Sequence, residues 1–461
     1  MNSNRCEVLA ASLDEAGAGV GSDEGRQIFV ADLLPGESAE VAIDHQSPHK
    51  PLAWGRIVRR TGPLSGDRVE PACPAFGSCG GCVWQHLAYP AQLEIKRQRV
   101  EAAIGGLEAP GGGPVPMTDV RPSPATVGYR NKGKYVVGES NGHLILGAYA
   151  PRSHHVIDTL GCRVVAQVID EVATWVRGAA EGAGLVPYDE TKRVGELRYV
   201  VVREAAGEAM IALIVAPNTP RAKLEHVANA LRKHPAVRGM VSIVNDRRDG
   251  AIIPSGVSSQ VLLGHGHLIE EIAGVKVAVG AGEFVQVNRP QAHAMYKRAT
   301  DLVMEGQPDI SPALDGVRIV DLYAGLGGFG LHMARAGAEV VAVEIDREAI
   351  AALRRAAERA GLKLTTVAAD AGELTPELHA QLGKPDVVIV NPPRKGLSPG
   401  TRQLIVDLGP STMIYVSCGP DSLARDLRVL AERGYRADHV EPFDLMPGTP
   451  QVETLVRLRC T

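Results

Sequence analysis

Two motifs at the ends of apolar runs hold the residues best suited to chemistry. Asn391-Pro392-Pro393-Arg394 follows Val387–Val390, and Ser417-Cys418-Gly419-Pro420 follows Met413–Val416. In an open α/β sheet the carboxyl ends of the strands line one crevice, so both motifs are expected to face a common space. The prolines stop the strands and stiffen the backbone there. A lone cysteine after a strand is most often a small core residue. The polar, turn-forming neighbours of Cys418 set it apart from that reading.

A third motif, Asp321-Leu-Tyr-Ala-Gly325-Leu-Gly327-Gly328-Phe-Gly330, comes directly after an apolar strand and opens a helix. Its glycines let the backbone turn sharply and approach a ligand at the strand's carboxyl end. Glu344 ends the next strand, where a carboxylate can accept both hydroxyls of a ribose. The same glycines satisfy G-x-G-x-x-G, so a nicotinamide oxidoreductase stands as an alternative to a methyltransferase. Asp321, four residues before the loop, and the loop's late place in the chain count against that alternative.

The seven cysteines are unevenly spread: Cys73, Cys79 and Cys82 cluster, Cys162 lies downstream, and Cys6, Cys418 and Cys460 are isolated. Such a set points to metal binding or catalysis over a disulfide framework. Cys73-x5-Cys79-x2-Cys82 with Cys162 offers four thiolates, enough for a 4Fe–4S cluster or for zinc, and spacing alone does not separate the two. His265-Gly-His267 and His154-His155 are spaced like ligand pairs but read as ordinary loop or surface histidines.

The elements that must position these groups fall into three stretches, as a chain of 461 residues leads one to expect. Short strands between Gly and Pro turns (7–11, 27–31, 39–43, 52–60) suggest a small β-barrel over residues 1–64. Residues 65–270 hold the cysteine cluster, an amphipathic helix at 92–104, a Gly/Pro-rich linker at 109–124, and an α+β region. From 271 to 461, apolar strands at 318–322, 339–344, 364–369, 387–390 and 413–416 alternate with helices, the pattern of a doubly wound parallel sheet. β-like segments near 436–441 and 453–459 suggest a closing antiparallel hairpin. The longest apolar runs are strand-sized, so no membrane span is expected, and an acidic start without a long apolar core predicts no signal peptide and a cytoplasmic protein. The net charge is −4, yet residues 50–163 hold fourteen Lys and Arg against eight Asp and Glu. That local excess suits phosphates, or is an ordinary solvated surface.

Seven collinear motifs resemble the RNA 5-methyluridine methyltransferase family: Cys79-Gly-Gly-Cys82-Val-Trp-Gln-His86 with Gln92, Leu93 and Lys96; Tyr129-Arg-Asn-Lys132; Phe284-Val-Gln286-Val-Asn288; Asp321 through Gly325; Pro392-Pro-Arg394; Tyr415-Val-Ser-Cys418; and Leu423-Ala-Arg-Asp-Leu427. Phe29 through Pro35-Gly36-Glu37 resembles the TRAM barrel of the family's large-subunit rRNA branch. The resemblance implies a class I S-adenosylmethionine methyltransferase domain behind a TRAM/OB-like barrel and a central iron–sulfur domain, with the helix at 92–104 packed on the methyltransferase domain. It implies Cys418 as the nucleophile and Glu453 as the base. Gln286, Tyr323, Gly328, Glu344, Asp370 and Asn391 are then implied to bind the cofactor, and Cys73, Cys79, Cys82 and Cys162 to hold a 4Fe–4S cluster in preference to zinc.

These groups suit the reaction. Carbon 5 of uracil is a weak nucleophile until a thiolate adds at carbon 6, and a base must then remove the C5 proton so that the thiol can leave. A free thiol titrates near about 8.5, so the site should favour the thiolate, with Arg394 and Arg425 as the nearby cations. Tyr129, Arg130 and Lys132 are expected to help hold the RNA around a flipped-out target. The chain departs from the family at Asn391, usually Asp, at Gly419, usually Asn, and at Gln451, usually His. The sequence therefore predicts a monomeric enzyme that methylates uridine in large-subunit (23S) rRNA. A tRNA enzyme is the second substrate, and a non-catalytic RNA-binding relative is the alternative of another class.

Overall fold

The computed structural model describes residues 5–151, 153–253, 257–305, 313–373 and 375–461. At the N-terminus, β1 (Arg5–Leu9), β2 (Ser12–Leu13), β3 (Gly19–Asp23), β4 (Arg26–Val30), β5 (Ser38–Gln46) and β6 (Leu52–Arg60) make one sheet in the order β1-β5-β6-β4-β3-β2. Alternate residues, among them Val8, Ile28, Val30, Val41 and Ala53, turn inward to a small core. The sheet curls on itself, because Ala11 N–H donates to Val20 O at 2.8 Å and so joins β3 to the chain leaving β1. The short β2 and the glycine-rich β3 carry too few apolar side chains to announce themselves as strands. Small residues are needed in β3, since a Cβ on Gly21 would stand 2.4 Å from Leu9 O.

The middle of the chain forms α1 (Tyr89–Ile104), β7 (Lys132–Ser140), β8 (His143–Tyr149), β9 (Val156–Asp158), α2 (Gln167–Gly182), β10 (Leu197–Ala205), β11 (Glu208–Val215), α3 (Arg221–Leu231), β12 (Val237–Val244) and β13 (Ser259–Gly264). Its strands make a mixed sheet in the order β13-β12-β11-β10-β7-β8-β9, with α2 and α3 covering one face. A hairpin follows, β14 (His267–Ile272) with β15 (Val275–Gly280). It spans residue 270, where the sequence suggested a domain boundary. Leu268 goes to the core of the mixed sheet, and Val275, Val277 and Val279 go to the core of the C-terminal sheet.

The last part comprises α4 (Arg289–Glu305), β16 (Arg318–Leu322), α5 (Gly328–Arg335), β17 (Glu339–Glu344), α6 (Arg347–Arg359), β18 (Leu364–Ala368), α7 (Pro376–Leu382), β19 (Val387–Val390), α8 (Pro399–Leu408), β20 (Thr412–Ser417), α9 (Pro420–Ala431), β21 (Tyr435–Phe443) and β22 (Glu453–Cys460). The strand order is β18-β17-β16-β19-β20-β22-β21. The first five are parallel, and β22 runs antiparallel to both of its neighbours. Both faces of these strands are covered, which is why they read as unbroken apolar runs such as Val387–Val390. Helices α4, α5 and α6 cover one face, and α7, α8 and α9 the other, where Val100 and Ile104 of α1 join them.

Two stretches differ from their sequence reading. The buried stripe of α1 is Gln92, Lys96, Val100 and Ile104, so half of it is polar. The Lys96 ammonium meets the Asp444 carboxylate at 2.6 Å and Met446 O at 3.2 Å, with both charged side chains fully buried. Gln92 donates to Trp84 O and Leu87 O and accepts from Gly448 N–H. Residues 109–124, read as a linker, are instead pinned along the outer edge of the sheet. Thr118 N–H donates to Val440 O, Val440 N–H to Pro116 O, Arg121 N–H to Pro442 O and Asp444 N–H to Arg121 O. Backbone pairing of this kind satisfies an edge strand whatever the side chains are, so composition could not show it.

Lys96→Ala should lower the unfolding free energy by roughly 3–5 kcal/mol in denaturant titrations, because it leaves Asp444 charged and alone in the interior. A Lys96→Met, Asp444→Leu double variant should recover most of that loss. Equal instability of the single and double variants would contradict it.

Candidate active site

The carboxyl edge of the parallel strands gathers most of the residues singled out from the sequence. Tyr323 follows β16, Glu344 ends β17, Asp370 lies two residues past β18, Asn391 follows β19 and Cys418 follows β20. The register aligns them, with Leu322 opposite both Val343 and Val390, Glu344 opposite Ala368, and Val390 opposite Tyr415. Gln286 is placed elsewhere, buried on the loop leading to α4, with its carbonyl held by Asn131 Nδ2.

The glycine loop is built to bring backbone close to a ligand. Tyr323 adopts φ 61°, rare for a residue with a side chain, and its hydroxyl shares a hydrogen bond with Thr401 Oγ1 at 2.8 Å. A Cβ on Gly328 would lie 2.5 Å from the Tyr296 ring, so only glycine fits there. Glu344 accepts from Gly325 N–H through one oxygen and from Asp346 N–H through the other, both at 2.9 Å. These bonds fix the carboxylate at the strand end and leave lone pairs for two further hydroxyl donors. Asp321 lies beneath the loop, taking Gly330 N–H at 3.0 Å, and burial pushes its carboxyl up to about 7. A carboxylate fixed at the strand end with acceptor capacity to spare suits the hydroxyls of a ribose-bearing ligand.

Cys418 and Glu453 meet across the reversal of the last strand. Because Ser417 pairs with Thr454, the residue after β20 and the first residue of β22 stand at the same end of the sheet. Burial pushes the Cys418 thiol up, the Glu453 charge adds to this, and Arg394 opposes it. Burial also raises the Glu453 carboxyl, to about 7, against the pull of the same Arg394. Arg394 is held in turn by Gln451 Oε1 at 3.1 Å. Of the two arginines proposed to favour the thiolate, Arg394 is in place. Arg425 is turned to Asp426 and to Lys395 O. Sequence reasoning missed two supports, Gln451 and Asp426. The fully buried Asp426 accepts from Leu397 N–H, the Tyr415 hydroxyl and Arg402, so it locks the loop that carries Arg394 onto β20. The Leu423–Leu427 motif was the signal for it.

The face expected to hold RNA is partly used inside the protein. The Tyr129 hydroxyl donates to Pro447 O, and Lys132 donates to Ala281 O. Burial, with Arg203 and Lys134 nearby, pushes the Lys132 amine down to about 7. Tyr129 and Lys132, expected to help hold the RNA, are thus each engaged by a backbone carbonyl inside the protein. Cys73, Cys79, Cys82 and Cys162 share one neighbourhood: beyond burial, Cys79 is pushed up by Cys162 and Cys73, and Cys82 by Cys162 and Cys79. Among the described residues, however, no three His, Cys, Asp or Glu side chains close to the spacing a metal ion needs. In number and type the four thiols are the donors a cluster takes, and they stand near enough to perturb one another's ionisation.

The family described as tRNA (uracil-5-)-methyltransferase matches residues 280–460. A protein of Halalkalibacterium halodurans described as an uncharacterized RNA methyltransferase is 34% identical over 98% of this chain and 96% of its own length. One from Clostridium tetani with the same description is 33% identical over 95% and 93%. Among solved structures, the Pyrococcus abyssi tRNA (uracil-54, C5)-methyltransferase in complex with S-adenosyl-L-homocysteine superimposes with a TM-score of 0.74, at 24% identity over 98% of this chain and all of that one, which shows a shared fold.

The site's electrostatics can be checked without any reaction. The pH midpoint for alkylation of Cys418, followed by peptide mass spectrometry, should rise by about one unit in Arg394→Ala and fall by a similar amount in Glu453→Gln. Midpoints that do not move would separate these side chains from the thiol.

Proposed function

This chain belongs to the RNA uracil-5-methyltransferase family and is an S-adenosylmethionine-dependent RNA methyltransferase; from that premise we propose that it methylates carbon 5 of a uridine in large-subunit (23S) rRNA through a covalent Cys418 adduct. The observation that carries the reading is the meeting of Cys418, Glu453 and Arg394 at the end of the sheet that also bears the glycine loop. S-adenosylmethionine supplies an electrophilic sulfonium methyl group when bound. Tyr323, Gly328, Glu344 and Asp370 are assigned to its adenosine side, Asn391 to the space between it and the base, and Gln286 to the loop before α4.

The protein's own groups account for the rest. The Cys418 thiolate forms a bond to C6 of uracil, and the electron pair of the C5–C6 double bond moves into an enolate. C5 then takes the methyl group. Glu453 removes the C5 proton, the double bond re-forms and the S–C6 bond breaks, returning the thiolate. Arg394 stabilises that thiolate at the start and end of the cycle. Burial of Glu453 keeps its carboxyl basic enough to accept a carbon-bound proton. Asn391 can accept from uracil N3–H while donating to O4, a match for a neutral uracil. The same amide turned over matches cytosine. Phe284, two residues before Gln286, is 67% exposed and offers a ring on which an unstacked base can rest.

The curled N-terminal sheet and the four gathered thiols support the rRNA assignment, as the TRAM-like barrel and 4Fe–4S site of that branch. tRNA is the second substrate, favoured by the target of the Pyrococcus abyssi structure. The barrel, central and catalytic regions are assigned to 1–64, 65–270 and 271–461. No helix among the described residues is long and apolar enough to cross a membrane. A monomer acting in the cytoplasm completes the reading.

Glu453→Gln should stall after methyl transfer and leave RNA covalently joined to the protein on denaturing gels, whereas Cys418→Ala gives neither adduct nor product. In the unmodified enzyme the rate should rise with pH through about 7, because Glu453 is neutral below its raised pKa and cannot take the proton. Turnover by Glu453→Gln without an adduct would remove Glu453 from the mechanism. Anaerobically purified protein should contain iron and sulfide in equal amounts, with both lost in Cys162→Ser. Stoichiometric zinc in their place would overturn the cluster assignment.

A further inference from the structure

Next to the cofactor carboxylate, a cleft of about 950 Å³ opens between α6 and the loops of the mixed sheet. One wall is a stripe of α6 at i, i+4 spacing: Arg347, Ala351, Arg355 and Arg359. His267 and Ser259 stand on the opposite wall. Arginines in this protein are usually taken by carboxylates, as Arg60, Arg198, Arg289, Arg298 and Arg402 are. Arg347 and Arg355, by contrast, have no hydrogen bond or ion pair among the described residues, and Arg359 only a long bond to Lys276 O. Three carboxylates, Glu283, Asp346 and Glu348, also border the cleft, Asp346 capping α6 through Glu348 N–H and Ala349 N–H. Two of these acids sit at the start of α6, so the cleft's positive charge is gathered further along the helix, at Arg355 and Arg359.

The cofactor does not explain that line, because S-adenosylmethionine carries no phosphate. From Arg347 to Arg359 the helix rises about 18 Å, longer than one nucleotide and suited to a strand of several phosphates. Ile345, between Glu344 and the stripe, is 66% exposed and joins the cofactor edge to the cleft with an apolar side chain open to a base or sugar. We propose that this cleft holds the phosphate backbone of the RNA strand flanking the target nucleotide, with Arg347, Arg355 and Arg359 as its phosphate contacts. The inference rests on RNA as the substrate and adds where on the catalytic domain that RNA runs. Guanidinium groups suit phosphates because their forked donors meet two oxygens at once.

The test is the salt dependence of binding, using the full chain and fluorescent, unmodified transcripts of large-subunit rRNA and of tRNA. Arg355→Ala, Arg359→Ala together should weaken binding of the favoured transcript about tenfold or more near 0.1 M salt. They should also flatten the slope of log affinity against log salt by about 0.7 per arginine for a single strand. Affinity for S-adenosylmethionine should stay unchanged, which shows that the variant is folded and its cofactor edge intact. Arg354→Ala, on the same helix but outside the cleft, should behave as the unmodified protein. An unchanged slope in the double variant, or an equal loss in Arg354→Ala, would overturn the proposal. If the unmodified protein bound neither transcript, the substrate reading itself would fall, a result distinct from loss in one variant.

Discussion

The antiparallel pairing of β22 with β20 is the constraint on which the site rests, because a parallel strand there would put its first residue at the far end of the sheet. Ser417 opposite Thr454 means that a thiol just beyond one strand and a carboxyl just inside the next share one end. Once they share it, their chemistry is coupled. The Glu453 charge raises the cost of ionising Cys418 in a buried setting, and Arg394 is the charge that favours ionisation of both. The five parallel strands contribute differently. Their carboxyl ends carry the glycine loop and Glu344, the edge proposed above for the cofactor, at the same end of the sheet as Cys418.

That geometry is secured from a distance by buried polar contacts. The segment leading from β21 to β22 has no regular structure of its own, yet it must deliver Glu453 accurately. It is held by Lys96 on Asp444, by Gln92 on Gly448 N–H and by Asn288 on Leu445 O. All three partners come from earlier in the chain, two of them from α1. The N-terminal helix is therefore part of the catalytic domain's support. Trp84 N–H on Gly448 O and the Tyr129 hydroxyl on Pro447 O tie the cysteine-bearing region and the central sheet to the same segment.

The parallel sheet and its closing hairpin were legible because strands covered on both faces read as plain apolar runs separated by helical stretches. The strand-end motifs were legible because glycine and proline directly after an apolar run mark where a strand stops, and Cys418 stood out by such neighbours. What stayed hidden depends on partners distant in sequence. Lys96 looks like the solvated side of a helix until Asp444 is known to lie against it, and Arg394 and Arg425 are equal candidates until Asp426 claims the second. Residues 109–124 form no alternating pattern because their backbone, not their side chains, binds the sheet edge. The internal bonds of Tyr129 to Pro447 O and of Lys132 to Ala281 O were hidden for the same reason, since both partners lie more than a hundred residues away.

The central claim is that Cys418 and Glu453 methylate uridine at carbon 5, and nucleoside mass spectrometry tests it most directly. Anaerobically purified protein would be incubated with S-adenosylmethionine and unmodified transcripts of large-subunit rRNA and of tRNA, beside Cys418→Ala. The account predicts 5-methyluridine in the rRNA transcript and none with the variant. 5-Methylcytidine would mean that Asn391 reads the other pyrimidine. Methylation that persists in Cys418→Ala, or RNA bound tightly with no methylated nucleoside formed, would contradict the account.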